Sequence, residues 1–138
     1  MKKHEIFNQF AENLKTLSKC KHGKVAALLV STNYDQIYSI GINGGPSGQA
    51  QCCCGEKDAK YGCAHAEQNC LVKNQDYIHP KIMICTKAPC PTCATLIVNS
   101  GAQIKQFVYS EEYKDFTGLQ ILVKNGIYCR RIEESQID

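Results

Sequence analysis

The sequence predicts an α/β layered domain in which one mixed sheet of about five strands is flanked by helices in three layers. Amphipathic segments with apolar residues three or four apart alternate with short apolar runs, in the order α, β-hairpin, α, β, α, β, α, β. The run Val25 to Ser31 is continuously apolar until its last residue, as a strand buried on both faces requires. A length of 138 residues, 43% of them hydrophobic and 21% charged, suits one globular domain spanning the whole chain. There is no internal repeat, low-complexity tract or linker to divide it.

The elements follow in order. Ile6 to Leu17 places Ile6, Phe7, Phe10, Leu14 and Leu17 on one helical face. After the strand at Val25, Asn33-Tyr34-Asp35-Gln36 reads as a hairpin turn and Ile37 to Ile42 as the returning strand. Gly41 to Gly48 carries four glycines, which allow a backbone to lie close to a ligand. Helices are predicted at Ala66 to Lys73, at Pro91 to Ser100 with Gly101 ending it, and at Asp115 to Lys124 closed by Asn125-Gly126. Strands are predicted at Lys81 to Thr86, Gln106 to Ser110 and Ile127 to Ile132. Glu133 to Asp138 reads as a polar, frayed end.

Composition narrows the function. A net charge of +3 and the absence of Trp disfavour a polynucleotide-binding face, and no stretch approaches membrane-span length. The first residues have no apolar signal core, so a cytoplasmic location is expected. Ten cysteines in such a chain point to metal rather than to a disulfide scaffold.

The chemistry concentrates between Cys63 and Cys93. Cys63-Ala64-His65-Ala66-Glu67 is followed by Pro89-Cys90-Pro91-Thr92-Cys93. His65, Cys90 and Cys93 make three zinc-type ligands, the number a catalytic zinc takes while leaving a fourth position for water. Cys90 and Cys93 fall on one face of a helix starting at Pro91, where the dipole favours thiolate. Glu67 remains as a carboxylate free for proton transfer. Two thiolates offset the charge of the ion, so the attacking water needs a base beside it, and Glu67 is the catalytic candidate. H-x-E…P-C-x-x-C is the known signature of zinc-dependent base deaminases, and the chain matches it at every position.

Across nearly its whole length the sequence resembles deoxycytidylate (dCMP) deaminases, within the zinc-dependent cytidine/deoxycytidylate deaminase family. The similar segments are Ser18-Lys19-Cys20, Gly41-Ile42-Asn43-Gly44 with Pro46 and Gly48, Cys52-Cys53, His65 to Asn69, Ala88 to Cys93, and Val108-Tyr109. The resemblance implies a cytidine-deaminase-like fold and hydrolysis of dCMP to dUMP and ammonia, which feeds dTMP synthesis. It implies substrate contacts from Asn43 to the sugar or base, Asn69 near the sugar-phosphate and Tyr109 against the base. Ala66 and Ala88 within the matching segments join them. It further implies a homo-oligomer, with a hexamer expected, and an allosteric site for dCTP with Mg²⁺ or for dTTP on a loop carrying Gly41, Gly44 and Ser47. The family usually has Tyr where this chain has Ile42, and many members carry a longer insert than Cys54 to Gly62.

Cys20 and Cys52 match positions that hold a structural zinc in some of these enzymes. Cys54 and Cys63 can complete a closed four-thiolate site, with His22 as a competing ligand; the alternative is a group of free thiols. Cys70, Cys85 and Cys129 fit core positions. Phosphate contacts are sought among Lys19, Lys21, Lys24 and Lys73. The alternatives to dCMP deamination are deamination of another small nucleobase, nucleoside or nucleotide, deamination of a tRNA or single-stranded DNA base, and a non-enzymatic zinc-stabilised binding or assembly protein.

Overall fold

A computed structural model describes residues 2–48, 52, 54 and 61–132. Helix α1 (Lys3–Leu14) runs into one 3₁₀ turn (Lys15–Leu17) and leads to the hairpin β1 (Ala26–Ser31) and β2 (Ile37–Ile42). Then follow α2 (Ala66–Lys73), β3 (Lys81–Lys87), α3 (Pro91–Asn99), β4 (Ile104–Glu111), α4 (Thr117–Lys124) and β5 (Tyr128–Arg131). Glu133 to Asp138, expected to fray, and Cys53 lie outside the described residues.

The five strands form one sheet in the order β2-β1-β3-β4-β5. β1 pairs antiparallel with β2 and β3, whereas β3–β4 and β4–β5 are parallel. The sheet is therefore mixed, as predicted. β1 and the first six residues of β3 are buried throughout, because helices cover both faces. On one side Ala26, Leu28, Val30, Ile82, Ile84 and Val108 pack with Ala11 of α1. On the other, Ala27, Leu29, Met83, Cys85 and Phe107 pack with residues of α2, α3 and α4, such as Cys70, Ala94, Ile97 and Leu122. Three layers result. No helix among the described residues is long and apolar enough to cross a membrane.

Local chemistry sets the boundaries. The hairpin turn closes on Ser31, whose Oγ accepts from the N–H groups of Asp35 and Gln36, each at 3.0 Å, while Tyr34 takes the left-handed φ of 63°. The first helix starts three residues earlier than its apolar stripe suggests, and the expected final turn tightens to 3₁₀ geometry with Leu17 exposed. α4 starts at Thr117 rather than Asp115. The Asp115 carboxylate accepts from the Thr117 N–H at 2.9 Å and from its hydroxyl at 2.6 Å, a local turn that holds Asp115 outside the helix, with Phe116 at the N-cap.

Gly41 and Gly118 leave no room for a side chain. A Cβ on Gly41 in β2 would overlap Ala66 O and Cys70 N and lie 2.7 Å from Cys70 Cβ, so the missing side chain lets α2 settle onto the sheet. A Cβ on Gly118 would overlap Pro89 O and lie 3.0 Å from Pro89 C, so α4 touches the backbone that leads into α3.

Candidate functional site

The site forms where the starts of α2 and α3 meet beyond the carboxyl end of β3, the side of a parallel sheet segment where ligand sites are usually built. His65 immediately precedes α2, and its N–H donates to Gln68 Oε1 at 2.7 Å, which fixes its backbone. Cys90 is the N-cap of α3; its Sγ accepts from the Cys93 N–H at 3.4 Å, and Pro91 occupies the first turn, where a missing N–H costs nothing. His65 Nδ1 thereby lies 3.1 Å from Cys93 Sγ and 3.4 Å from Cys90 Sγ.

That donor set fits a zinc ion. Ligands at about 2.0–2.3 Å in tetrahedral array stand about 3.5 Å apart, close to the spacing found. The chemistry agrees. Burial pushes the Cys93 thiol far above its ordinary range, and the Glu67 carboxylate and the Cys90 sulfur beside it push in the same direction. A bound cation would reverse that shift and hold the sulfurs as thiolates.

Glu67 lies in the first turn of α2 and is only 4% exposed. Burial raises its carboxyl to about 7, against the opposing pull of hydrogen bonds from its own backbone N–H and the Cys93 and Cys85 thiols, and the charge of Lys87. A carboxyl balanced near neutrality both accepts and returns a proton readily.

His65, Glu67 and Cys90 line a cavity of about 240 Å³, together with Asn43, Ala66, Ala88, Lys87 and Tyr113 among others. The structure thus collects most of the residues expected at the site, although several are already engaged. Asn43 accepts from the Val25 N–H at 2.9 Å and donates to Gly23 O at 2.7 Å, so its amide braces the loop before β1. Asn69 donates to Ile42 O at 2.8 Å and ties α2 to the end of β2. Tyr109, expected against the base, lies in the core at 8% exposure, tilted against Phe107, and is not among the cavity-lining residues. Gly41 is buried under α2, which removes it from the nucleotide loop in which the sequence placed it. Gly44 and Ser47 line a second cavity of about 260 Å³, with Lys19 and Ile42.

The second cysteine group is compact. Cys52 Sγ lies 3.3 Å from Cys63 Sγ and 3.7 Å from Cys20 Sγ, and Cys20 and Cys54 are 3.9 Å apart. All four sulfurs lie within 4.8 Å of one another, and His22 stands on the cavity wall outside the group. A disulfide needs about 2.05 Å, whereas four thiolates about 2.3 Å from one tetrahedral ion stand about 3.8 Å apart. Backbone N–H groups of Cys54 and Cys63 donate to the sulfurs of Cys52 and Cys54, at 3.2 and 3.1 Å. Hydrogen bonds from the backbone of Lys21 and Cys54 lower the Cys52 thiol to about 6, while burial raises that of Cys63.

Sequence reasoning missed Lys87 and Tyr113 as cavity residues. A lone lysine ending the apolar strand just before Ala88-Pro89-Cys90 was the available signal for the first; none marked the second.

The family model for the cytidine and deoxycytidylate deaminase zinc-binding region matches residues 1–111. The chain is similar to the dCMP deaminase of cyanophage S-TIM5, solved in complex with dCMP and dUMP, at 33% identity and a TM-score of 0.81, covering 93% of this chain and 95% of that one. It is 30% identical to the deoxycytidylate deaminase of Mycobacterium phage D29, over 78% of this chain and 94% of that protein. It is 28% identical to the deoxycytidylate deaminase of Schizosaccharomyces pombe over 91% of this chain, but spans 42% of that protein.

Proposed function

The chain belongs to the cytidine and deoxycytidylate deaminase family, and on that premise we propose that it hydrolyses dCMP to dUMP and ammonia, supplying dUMP for dTMP synthesis. The observation that carries this reading is the buried Glu67 carboxyl on the wall of one cavity with His65 and Cys90, which with Cys93 behind them form a three-donor group. Likeness to the phage enzyme whose structure holds dCMP and dUMP supports the choice of substrate.

His65, Cys90 and Cys93 would hold a zinc ion, which when bound supplies Lewis acidity for water activation at the carbon bearing the amino group. Glu67 takes a proton from the attacking water and delivers it to the adjacent ring nitrogen. It then carries the second proton to the amino group, which leaves as ammonia as the carbonyl forms, and the carboxylate is restored. Burial excludes bulk water from Glu67 and keeps its proton affinity near that of the groups it serves. Ala66 and Ala88 contribute wall and backbone to the base pocket, and Asn43 shapes the loop beside it.

The sulfur spacing supports a second, closed zinc site on Cys20, Cys52, Cys54 and Cys63. The second cavity, with Gly44, Ser47 and Lys19 on its wall, is where the family's regulatory nucleotide, dCTP with Mg²⁺ or dTTP, would bind. A homo-oligomeric, hexameric assembly follows from the same resemblance.

The test is ammonia release from dCMP, deoxycytidine, dCTP and a single-stranded oligonucleotide, with zinc measured per chain. Two zinc ions and preference for dCMP are expected; Glu67→Gln should retain both ions and lose turnover. Zinc-loaded protein that releases no ammonia from any substrate would overturn the reading.

A further inference from the structure

Lys87 is the one lysine or arginine among the described residues that line the cavity holding Glu67 and His65. It ends β3, whose six preceding residues are fully buried, so its half-buried side chain emerges where the sheet meets the cavity. Its Nζ lies 5.6 Å from the centre of the Tyr113 ring, and Lys114 Nζ lies 5.9 Å from the same ring. Neither ammonium is paired with a carboxylate among the described residues, whose lysine ion pairs are Lys15–Glu12 and Lys81–Asp76. Two cations without a direct ion pair thus converge on one aromatic ring at the cavity, the charge of Lys87 also reaching Glu67, and the arrangement lowers the cost of bringing in an anion.

The lysines favoured on sequence charge stand elsewhere. Lys19 lies on the second cavity, and Lys21, Lys24 and Lys73 are exposed and absent from the wall around Glu67. A substrate that places its amino-bearing ring carbon at Glu67 must direct the rest of its length along that wall, which offers Lys87 as its fixed positive charge.

We propose that Lys87, assisted by Lys114 across the Tyr113 ring, forms the subsite that takes the substrate's 5′-phosphate monoester and so selects a nucleotide over its nucleoside. This rests on the deaminase reading above and adds to it the residue that sets substrate class. Lys87 is a point charge of three donors, suited to a phosphate held without bidentate geometry.

The test compares wild type, Lys87→Met and Lys87→Arg in two measurements. The first is kcat/KM for dCMP divided by that for deoxycytidine. The second is the affinity for dUMP divided by that for deoxyuridine, measured by calorimetry. Lys87→Met should lower both ratios about tenfold or more, the loss in kcat/KM appearing mainly in KM, while Lys87→Arg keeps most of each ratio. Raising the ionic strength should shrink the wild-type ratios toward those of Lys87→Met. Ratios unchanged in Lys87→Met, or equal losses for nucleotide and nucleoside, would overturn the proposal. If wild-type protein releases no ammonia at all, the deaminase reading fails, and the binding ratio alone then decides for or against Lys87.

Discussion

Replacing Glu67 with Gln should stabilise the metal-free chain above neutral pH even as it abolishes turnover. Burial raises the carboxyl from 4.5 to about 7. An acid whose proton affinity is higher in the folded than in the unfolded chain gives the folded state an extra proton between those two values. Stability then falls as pH rises through that window, and the full penalty is present above it. The shift converts to about 3 kcal/mol. Gln keeps the shape and one accepting oxygen but carries no charge, so the variant escapes the penalty. Urea unfolding of both proteins, with chelator and reductant, at intervals from about pH 4.5 to about pH 8 measures the difference. It should grow from near zero to about 3 kcal/mol, or roughly 10 °C in Tm. Thiol titration occurs in both proteins and cancels in the difference over this range. Bound zinc should shrink the difference, because a neighbouring cation favours the carboxylate. A difference that stays flat with pH, or a Gln variant less stable than wild type at about pH 8, would refute the reasoning.

Two further substitutions probe how the scaffold holds the site. Gly118→Ala places a methyl group against Pro89 O and 3.1 Å from Cys90 C, backbone that cannot rotate away. It should cost about 1–3 kcal/mol and speed zinc transfer to a competing chelator; normal unfolding and zinc retention would show that α4 yields freely. Lys81, fully buried at the start of β3, donates to Asp76 O at 2.8 Å, and to His79 O and Ala102 O at 2.9 Å each. Lys81→Met should lose about 1–3 kcal/mol for each carbonyl left buried without a donor, and unfolding of the variant at wild-type urea concentrations would show that water replaces the ammonium.

The fold was legible because its signals are local. The apolar run at β1, the Ser31 turn and the proline at the start of α3 each act within a few residues, and the mixed sheet follows from their order. The His65, Cys90 and Cys93 donors were legible for a related reason, since helix starts fix where those side chains point. Lys81 shows where this ends. A lysine at a strand start reads as solvent-facing, yet its donors are consumed by groups from the loop before β3 and the loop after α3, which meet only in the folded chain. Asn43 and Asn69 are similar cases. Their residue type suits a ligand, but their amides close backbone gaps at Gly23, Val25 and Ile42 that no sequence pattern announces.

These bracing contacts join the two thiol groups into one structural unit. Cys63 belongs to the four-sulfur group and His65, two residues on, to the other, so one short segment serves both. Its middle residue, Ala64, exchanges two hydrogen bonds with Gly44, at 3.1 and 2.8 Å, and the next residue back, Asn43, is held in turn by the Ser18 hydroxyl at 2.9 Å. Ser18 Oγ also accepts from the Cys20 N–H at 3.2 Å, which returns the chain of contacts to the sulfur group. The backbone of His65 is thus fixed from the Gln68 side through α2 and from the Cys63 side through the sulfurs. With both sides held, the backbone of His65 keeps the geometry around Glu67 that the two helix starts set.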